Sequence, residues 1–367
     1  MKYKLLFFLF TLTSTFYAQE PENFDLILDQ NFDHHSDKVY TETLLKRDFD
    51  NVLPRTAGAI RGFGTNGTPQ VTKIVDKKIR AHFRKNKVGG KEGGFLFDAI
   101  IDKTEEAYLE YDFSFDDQFV WALGGKLPGL GGSSKPLSSN GVIPSGCVSP
   151  SSTNQAEGFS CRLMWRTRRS VREENKKPYL VVYTYLPDRE KRCGEDYRIF
   201  DDLEKGTTYK IKQYIKLNTP GRNNGILKMW VDTLEVLNET NVKFRNHSNV
   251  KIDALIGQTY RGGGADDLDW ASPKENYAFF DNFKVWKRNN NPTNTTNQLP
   301  FADITSPNTD ITITEGYDQL EVKVDASDND GSIRKVDLYV NGNLLRSDTT
   351  SPYIFGRNNN ELLGLNI

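Results

Sequence analysis

The 367-residue chain has only three cysteines, four histidines and three methionines, and its 48 Lys and Arg nearly cancel its 49 Asp and Glu. Three cysteines exclude a scaffold built on disulfides. No Cys/His pair stands at zinc-ligand spacing, which argues against a metal-centred enzyme; neither a metal nor a cofactor is expected. A formal net charge of −1 argues against a globally basic nucleic-acid binder and leaves room only for local patches of one sign. The apolar run from Leu5 to Phe16 is shorter than the roughly 20 residues of a membrane span, so no span is expected. At 37% hydrophobic residues and a mean hydropathy of −0.60, the chain is too polar for a multi-span membrane protein but can build a core.

The chain is generous in aromatics and glycine: 16 Tyr, 22 Phe and 29 Gly suit a β-rich protein. At the N-terminus, Lys2 and Lys4 precede the apolar run, and Ala18 offers a small residue before Gln19. This is the pattern of a signal peptide over residues 1–18, which implies an extracellular, periplasmic or cell-surface protein.

Beyond it, apolar and polar residues alternate with period two in many short segments: 79–85, 107–115, 159–166, 179–186, 209–217, 226–232 and 277–286. Gly, Asn, Pro and Asp clusters separate them, so the pattern predicts an all-β protein, an antiparallel sandwich of jelly-roll type over residues 19–287. A short helix is expected within 42–52. Residues 288–300, rich in Asn and Thr, read as a linker. After it, residues 301–367 hold a smaller β unit; Asp325 to Ile333 followed by Val336 to Gly342 resembles bacterial immunoglobulin-like modules, shorter than the roughly 100 residues of such a sandwich. It is expected to serve as a spacer or a cell-surface attachment.

Residues two apart in a strand share a face. Opposite the apolar faces stand Arg80, His82 and Arg84; Ser160, Arg162, Met164 and Arg166; Tyr179, Val181, Tyr183 and Tyr185; Lys210, Lys212, Tyr214 and Lys216; and Lys228 with Trp230. If these faces belong to one sheet, they form a basic, aromatic-lined groove for an anionic polymer. The alternative is that each stripe is the solvated face of a sandwich; across five strands the groove is the expected arrangement. Trp230 and Tyr214 would stack on sugar rings or pack in the sandwich. His82 reads as a base, a carboxylate ligand or an ordinary surface histidine. His34 and His35 receive no role.

The segment Phe119 to Gly132 carries two glycines, then Lys126, then a Pro-Gly turn. The glycines allow a ligand or another strand close to the backbone. A phosphate-binding loop is excluded because no Ser or Thr follows Lys126.

Three segments, Gly124-Gly-Lys-Leu-Pro-Gly-Leu130, Phe159-Ser-Cys-Arg-Leu-Met-Trp-Arg166 and Val182-Tyr-Thr-Tyr-Leu-Pro187, together resemble the family 14 polysaccharide lyases. These are alginate-lyase-type enzymes; the family 20 glucuronan lyases share the first two motifs. Tyr277 to Val285 resembles their closing strand. The resemblance implies a jelly roll with a polyuronate cleft, and catalytic groups at Lys126, Ser160, Arg162, Tyr183 and Tyr185. Arg80, His82, Arg84, Arg166, Tyr179, Lys212, Tyr214, Lys228 and Trp230 are the candidate substrate-binding residues. The long charged insert after Arg166 and the Ser/Pro-rich segment after Gly132 depart from the family pattern and leave substrate and cleavage mode open.

The chemistry agrees with these residue types. β-Elimination at a uronate removes the C5 proton beside a carboxylate and expels the 4-linked oxygen. Arg162 can grip a carboxylate through paired hydrogen bonds, Lys126 supplies a point charge, and tyrosines can take and give protons. Adjacent cations would favour a phenolate. A glucuronan lyase or a non-catalytic carbohydrate-binding jelly roll are the alternatives. A glycoside hydrolase needs two carboxylates across the bond, and no acid pair lies within the three motif strands. Cys147 and Cys193 can pair, with Cys161 on an apolar face. Asp266 to Asp269 and Asp325 to Asp330 read as turns rather than calcium loops.

Overall fold

The computed structural model describes residues 21–53, 60–64, 69–137, 141–147, 149, 157–201, 203–264, 267–289, 300–309, 321–328, 333, 335–340 and 343–356. The expected signal peptide, nearly all of the linker and the Asn341-Gly342 turn lie outside these residues. Two compact units separate at Asn289, one of them Asn23–Asn289.

That unit opens with Phe24–Gln30 (β1) and Lys38–Val39 (β2), the helix Glu42–Asp48 (α1) and Val52–Leu53 (β3). Lys73–Val75 (β4), Lys78–Phe83 (β5), Phe95–Thr104 (β6), Glu106–Phe115 (β7) and Gly124–Ser133 (β8) follow. Then come Gly158–Arg166 (β9), Tyr179–Tyr185 (β10), Glu195–Phe200 (β11) and Thr208–Lys216 (β12). Gly225–Val231 (β13), Leu234–Val242 (β14), Lys251–Arg261 (β15) and Asn276–Arg288 (β16) complete it. One sheet runs β14-β13-β12-β7-β16-β5-β4-β2 with β1 beside β16, and the second runs β11-β10-β9-β8-β15-β6-β3. Their facing sides form the core of an antiparallel jelly-roll sandwich.

Alternation explains which side each strand buries. Ile79, Ala81 and Phe83 of β5, Phe159, Cys161, Leu163 and Trp165 of β9, and Leu180 and Val182 of β10 all enter one apolar cluster. Burying each Ile, Val, Leu or Phe side chain among them contributes about 1.5–3 kcal/mol. Arg261 is enclosed at the end of this core, over Phe119 at 4.8 Å, and donates to the carbonyl of Trp121 (3.0 Å) and to Asn276 Oδ1 (2.8 Å). Burial lowers its pKa to about 9. These bonds fix the corner between β7 and β8. The helix is capped by Thr41, whose hydroxyl accepts from the Leu44 amide at 3.4 Å, and it ends at Asp48, inside the predicted window.

The second unit contains Phe301–Ser306 (β17), Glu321–Ser327 (β18), Val336–Val340 (β19), Asn343–Asp348 (β20) and Tyr353–Gly356 (β21). Strands β17, β18 and β21 form one sheet and β19 pairs with β20. Val324, Tyr353 and Phe355 are its buried centre.

Candidate active site

The three motif strands are neighbours. Lys126 of β8 stands opposite Met164 of β9, and Tyr183 and Tyr185 of β10 stand opposite Arg162 and Ser160. The glycines before Lys126 serve strand approach: a Cβ on Gly125 would lie 2.1 Å from the Trp165 indole, which fills the core beneath. On the outer face, Met164, Val181, Tyr183 and Tyr185 form a small buried cluster, with Tyr179 and Trp270 packed against it.

The polar groups converge here. Lys126 Nζ lies 2.8 Å from Met164 Sδ and 3.5 Å from the centroid of the Tyr183 ring. The Tyr183 and Tyr185 hydroxyls are 3.1 Å apart, and the Gly194 amide donates to the Tyr183 oxygen at 2.9 Å. The Arg162 guanidinium sits 5.5 Å from the Tyr183 centroid and 5.3 Å from that of Tyr185. It is 1% exposed, and its Nε and Nη2 have no hydrogen-bond partner among the described residues. Arg189 lies over Tyr185 at 4.9 Å, its pKa lowered by burial. Burial, and then the neighbouring Tyr183, raise the Tyr185 pKa, and Arg162 only partly opposes this. Cations therefore do not make Tyr185 a phenolate, as the sequence suggested; it is a neutral phenol at neutral pH.

Most other candidates fall elsewhere. Ser160 stands opposite Tyr185 on the same face, is 0% exposed, and its hydroxyl donates to the Pro144 carbonyl at 2.8 Å, which anchors the segment beyond β8 over it. Arg166 and Tyr179 do lie on the same face as the tyrosine pair. The expectation of one continuous basic groove is corrected by the sheet order. Arg80, His82, Lys212, Tyr214, Lys228 and Trp230 belong to β5, β12 and β13 of the other sheet, and Arg84 directly follows β5. Alternation gives each strand's facing but not its sheet. Acids interleave there: Lys210 pairs with Glu110 (3.1 Å), Lys216 with Glu106 (2.8 Å), Lys228 with Glu235 (3.9 Å) and His82 with Glu275. Tyr214 donates to Glu106 at 3.1 Å and Arg84 pairs with Glu92 at 3.4 Å. Arg80 lies over Tyr277 and Lys212 over Tyr108, while Trp230 packs near Tyr108 at 6.4 Å. These stripes are the neutralised solvent face of the sandwich.

Sequence reasoning passed over Met164, Arg189, Trp270 and the Gly194 amide. Met164 was visible, since it alternates with Arg162 and Arg166. The others come from loops, where period-two reasoning has no hold.

Cys147 and Cys193 are joined, and Cys161 is free and buried. The bridge ties the segment after β8 to the loop after β10, where Cys193 immediately precedes Gly194. Closing a loop of sequence separation 46 contributes about 4 kcal/mol on the chain-entropy account. A Cys147→Ser, Cys193→Ser variant is expected to melt several degrees lower by calorimetry, with reduced kcat because Gly194 no longer holds the Tyr183 hydroxyl. Unchanged turnover in that variant would remove the bridge from the account of the site.

Among the described residues no helix is long and apolar enough to cross a membrane. Comparison with known proteins agrees with the architecture. The sandwich is similar to the structure of alginate lyase Aly36B, with a TM-score of 0.57 and 23% identity, covering 70% of this chain and 95% of that one. Variants of Aly36B are known in complex with an alginate trisaccharide and with a tetrasaccharide; one lacks a lysine and a methionine, the other a lysine and a tyrosine. The PL-14 alginate lyase from Aplysia kurodai is similar with a TM-score of 0.51 and 19% identity, over 71% of this chain and 97% of that one. The long isoform of ulvan lyase from Glaciecola sp. (strain KUL10) is 46% identical over 52 residues, 14% of this chain, and the match spans only 5% of that relative's length. The Bacterial Ig domain family matches residues 300–364. The Polysaccharide lyase 14 family matches residues 71–283, more than half of the chain, and the protein belongs to that family of polysaccharide lyases.

Proposed function

We propose that the protein is exported and cleaves an anionic polyuronate, alginate, by β-elimination at the Lys126, Arg162, Tyr183 and Tyr185 cluster. The observation that carries this reading is the buried Arg162 guanidinium beside two hydrogen-bonded phenols. No acid stands among the residues that β8, β9 and β10 present on that face. A hydrolase would need a carboxylate pair there. A binding module would have no use for a buried cation that no acid pairs among the described residues, which costs stability.

In the proposed reaction Tyr183 enters deprotonated, takes the C5 proton and becomes a neutral phenol. Its oxygen already accepts from the Gly194 amide at 2.9 Å, and the Lys126 ammonium lies 3.5 Å from its ring centroid. Lys126 and Arg162 balance the charge that develops on the uronate carboxylate and C5. As the C4–O bond breaks, the leaving oxygen takes the proton of neutral Tyr185. The 3.1 Å contact between the hydroxyls then returns the abstracted proton from Tyr183 to Tyr185. Proton and electron pair balance, with no external oxidant or reductant.

Support for alginate comes from Aly36B, whose variants that bind alginate oligosaccharides lack a lysine with a methionine or a tyrosine, the residue types that meet at Lys126, Met164 and Tyr183. The test is the growth of ultraviolet absorbance from the new C4–C5 double bond on alginate, β-1,4-glucuronan and ulvan, assayed in parallel. The highest kcat/KM is expected on alginate; a higher value on either other polymer would reassign the substrate.

A further inference from the structure

The charged insert after β9, which no motif explained, reaches the loop between β15 and β16. Arg169 Nη2 pairs with Asp267 Oδ2 at 2.9 Å, and its Nη1 pairs with Asp269. Asp267 also accepts the Trp270 indole N–H at 3.1 Å. The indole rests on two glycines: a Cβ on Gly262 would lie 2.5 Å from it and one on Gly263 2.4 Å, and Gly263 has φ +82°. Its other neighbours include the Met164, Val181, Tyr183 and Tyr185 cluster and the Arg166 guanidinium, 5.7 Å from the ring. Trp270 remains partly exposed, and the Arg169 side chain is 57% exposed.

Two exposed ion pairs contribute little to stability. Their consequence is orientation: they hold an amphipathic aromatic plate beside the reacting groups. Arg166 stands two residues along β9 from Met164, roughly 7 Å away, on the scale of one sugar unit. Arg166 pairs with Asp196 at 3.0 Å, while its Nε has no partner among the described residues. An aromatic face beside a guanidinium suits a sugar ring that carries a carboxylate.

We propose that Trp270 and Arg166 form a uronate subsite one sugar from the Tyr183–Tyr185 pair, with Trp270 stacking on the ring and Arg169 acting as the positioning residue that holds it. This rests on the lyase reading and adds a specificity element to it. The test uses the full chain and oligouronates of increasing length, and reads KM, kcat and product sizes for wild type, Trp270→Ala, Trp270→Phe, Arg169→Gln and Arg169→Lys. For oligomers long enough to reach the subsite, Trp270→Ala is expected to raise KM about tenfold, with kcat changed less than about twofold and the product sizes shifted. Trp270→Phe recovers most of the loss. Arg169→Gln moves KM the same way by a smaller factor, and Arg169→Lys restores it. Unchanged KM and product sizes in Trp270→Ala, or an equal kcat loss at every oligomer length, would overturn the subsite. A wild type that forms no double bond on any polyuronate would instead overturn the lyase reading; calorimetric binding of the oligomers to wild type and Trp270→Ala would then still decide the subsite, by the same tenfold difference or its absence.

Discussion

Replacing Arg162 with methionine lowers kcat by about 10²–10³-fold and leaves the melting temperature unchanged or higher. The two halves of this expectation have one cause. The guanidinium is 1% exposed, forms no ion pair among the described residues, and has two nitrogens there without a partner. Removing a cation from an apolar surrounding relieves a desolvation cost, and a methionine of similar length fills the same space beside Met164 and the tyrosines. The same removal takes away the one guanidinium among the described residues that lies over both phenol rings, at 5.5 Å and 5.3 Å, and is 1% exposed, so negative charge on the uronate in the transition state loses a counterion. Arg162→Lys is not expected to rescue turnover, because a single point charge does not reproduce the planar fork. Calorimetry together with initial rates checks this. A variant that unfolds, or one that keeps wild-type kcat, would make Arg162 a structural residue.

Tyr185→Phe is expected to lower kcat by about 10²–10⁴-fold with KM little changed, since it removes the proton donor to the leaving oxygen and the route by which Tyr183 gives up its proton. The Tyr185 pKa is raised above its ordinary value near 10 by burial and by Tyr183. The group is therefore protonated throughout the neutral and mildly alkaline range, and the donor form is lost only as pH rises through the raised value. Wild-type kcat should therefore hold into alkaline solution, with no fall assignable to Tyr185 below pH 10. A pH profile of kcat for wild type and variant reads this directly; a wild-type fall near pH 8 that disappears in Tyr185→Phe would contradict the assignment.

How much of this the sequence disclosed depends on burial. Strands with one wet face, such as β5, β12 and β13, alternate cleanly and were legible nearly to the residue, and β9, though buried on both faces, was legible because Ser160 and Arg162 alternate with Phe159, Cys161 and Leu163. Strands β6 and β15 are buried on both faces along most of their length, so they carry no alternation and passed unnoticed. The segment Phe119 to Gly132 was expected to carry a Pro-Gly turn after Lys126, whereas Phe119 and Trp121 form a packed corner and Pro128 and Gly129 lie within the strand, which the glycines themselves build. The partition into two sheets was not legible at all. Period two tells in from out, but the pairing of β12 with β7, and of β7 with β16, arises from long-range contacts that no local pattern encodes. For that reason Lys126, Arg162, Tyr183 and Tyr185 are together, while Lys212, Tyr214, Lys228 and Trp230 are on the other sheet beside the acids of β7 and β14. The disulfide was readable because only Cys161 sat in an alternating strand, leaving two loop cysteines.

The central claim is that the bond breaks by elimination, and mass spectrometry of the products tests it most directly. The full chain is incubated with alginate in heavy-oxygen water and the new oligosaccharide ends are weighed. The account requires non-reducing ends one water lighter than hydrolysis gives, with no oxygen taken from solvent at the cleaved bond. Saturated ends carrying solvent oxygen would mean hydrolysis and contradict it.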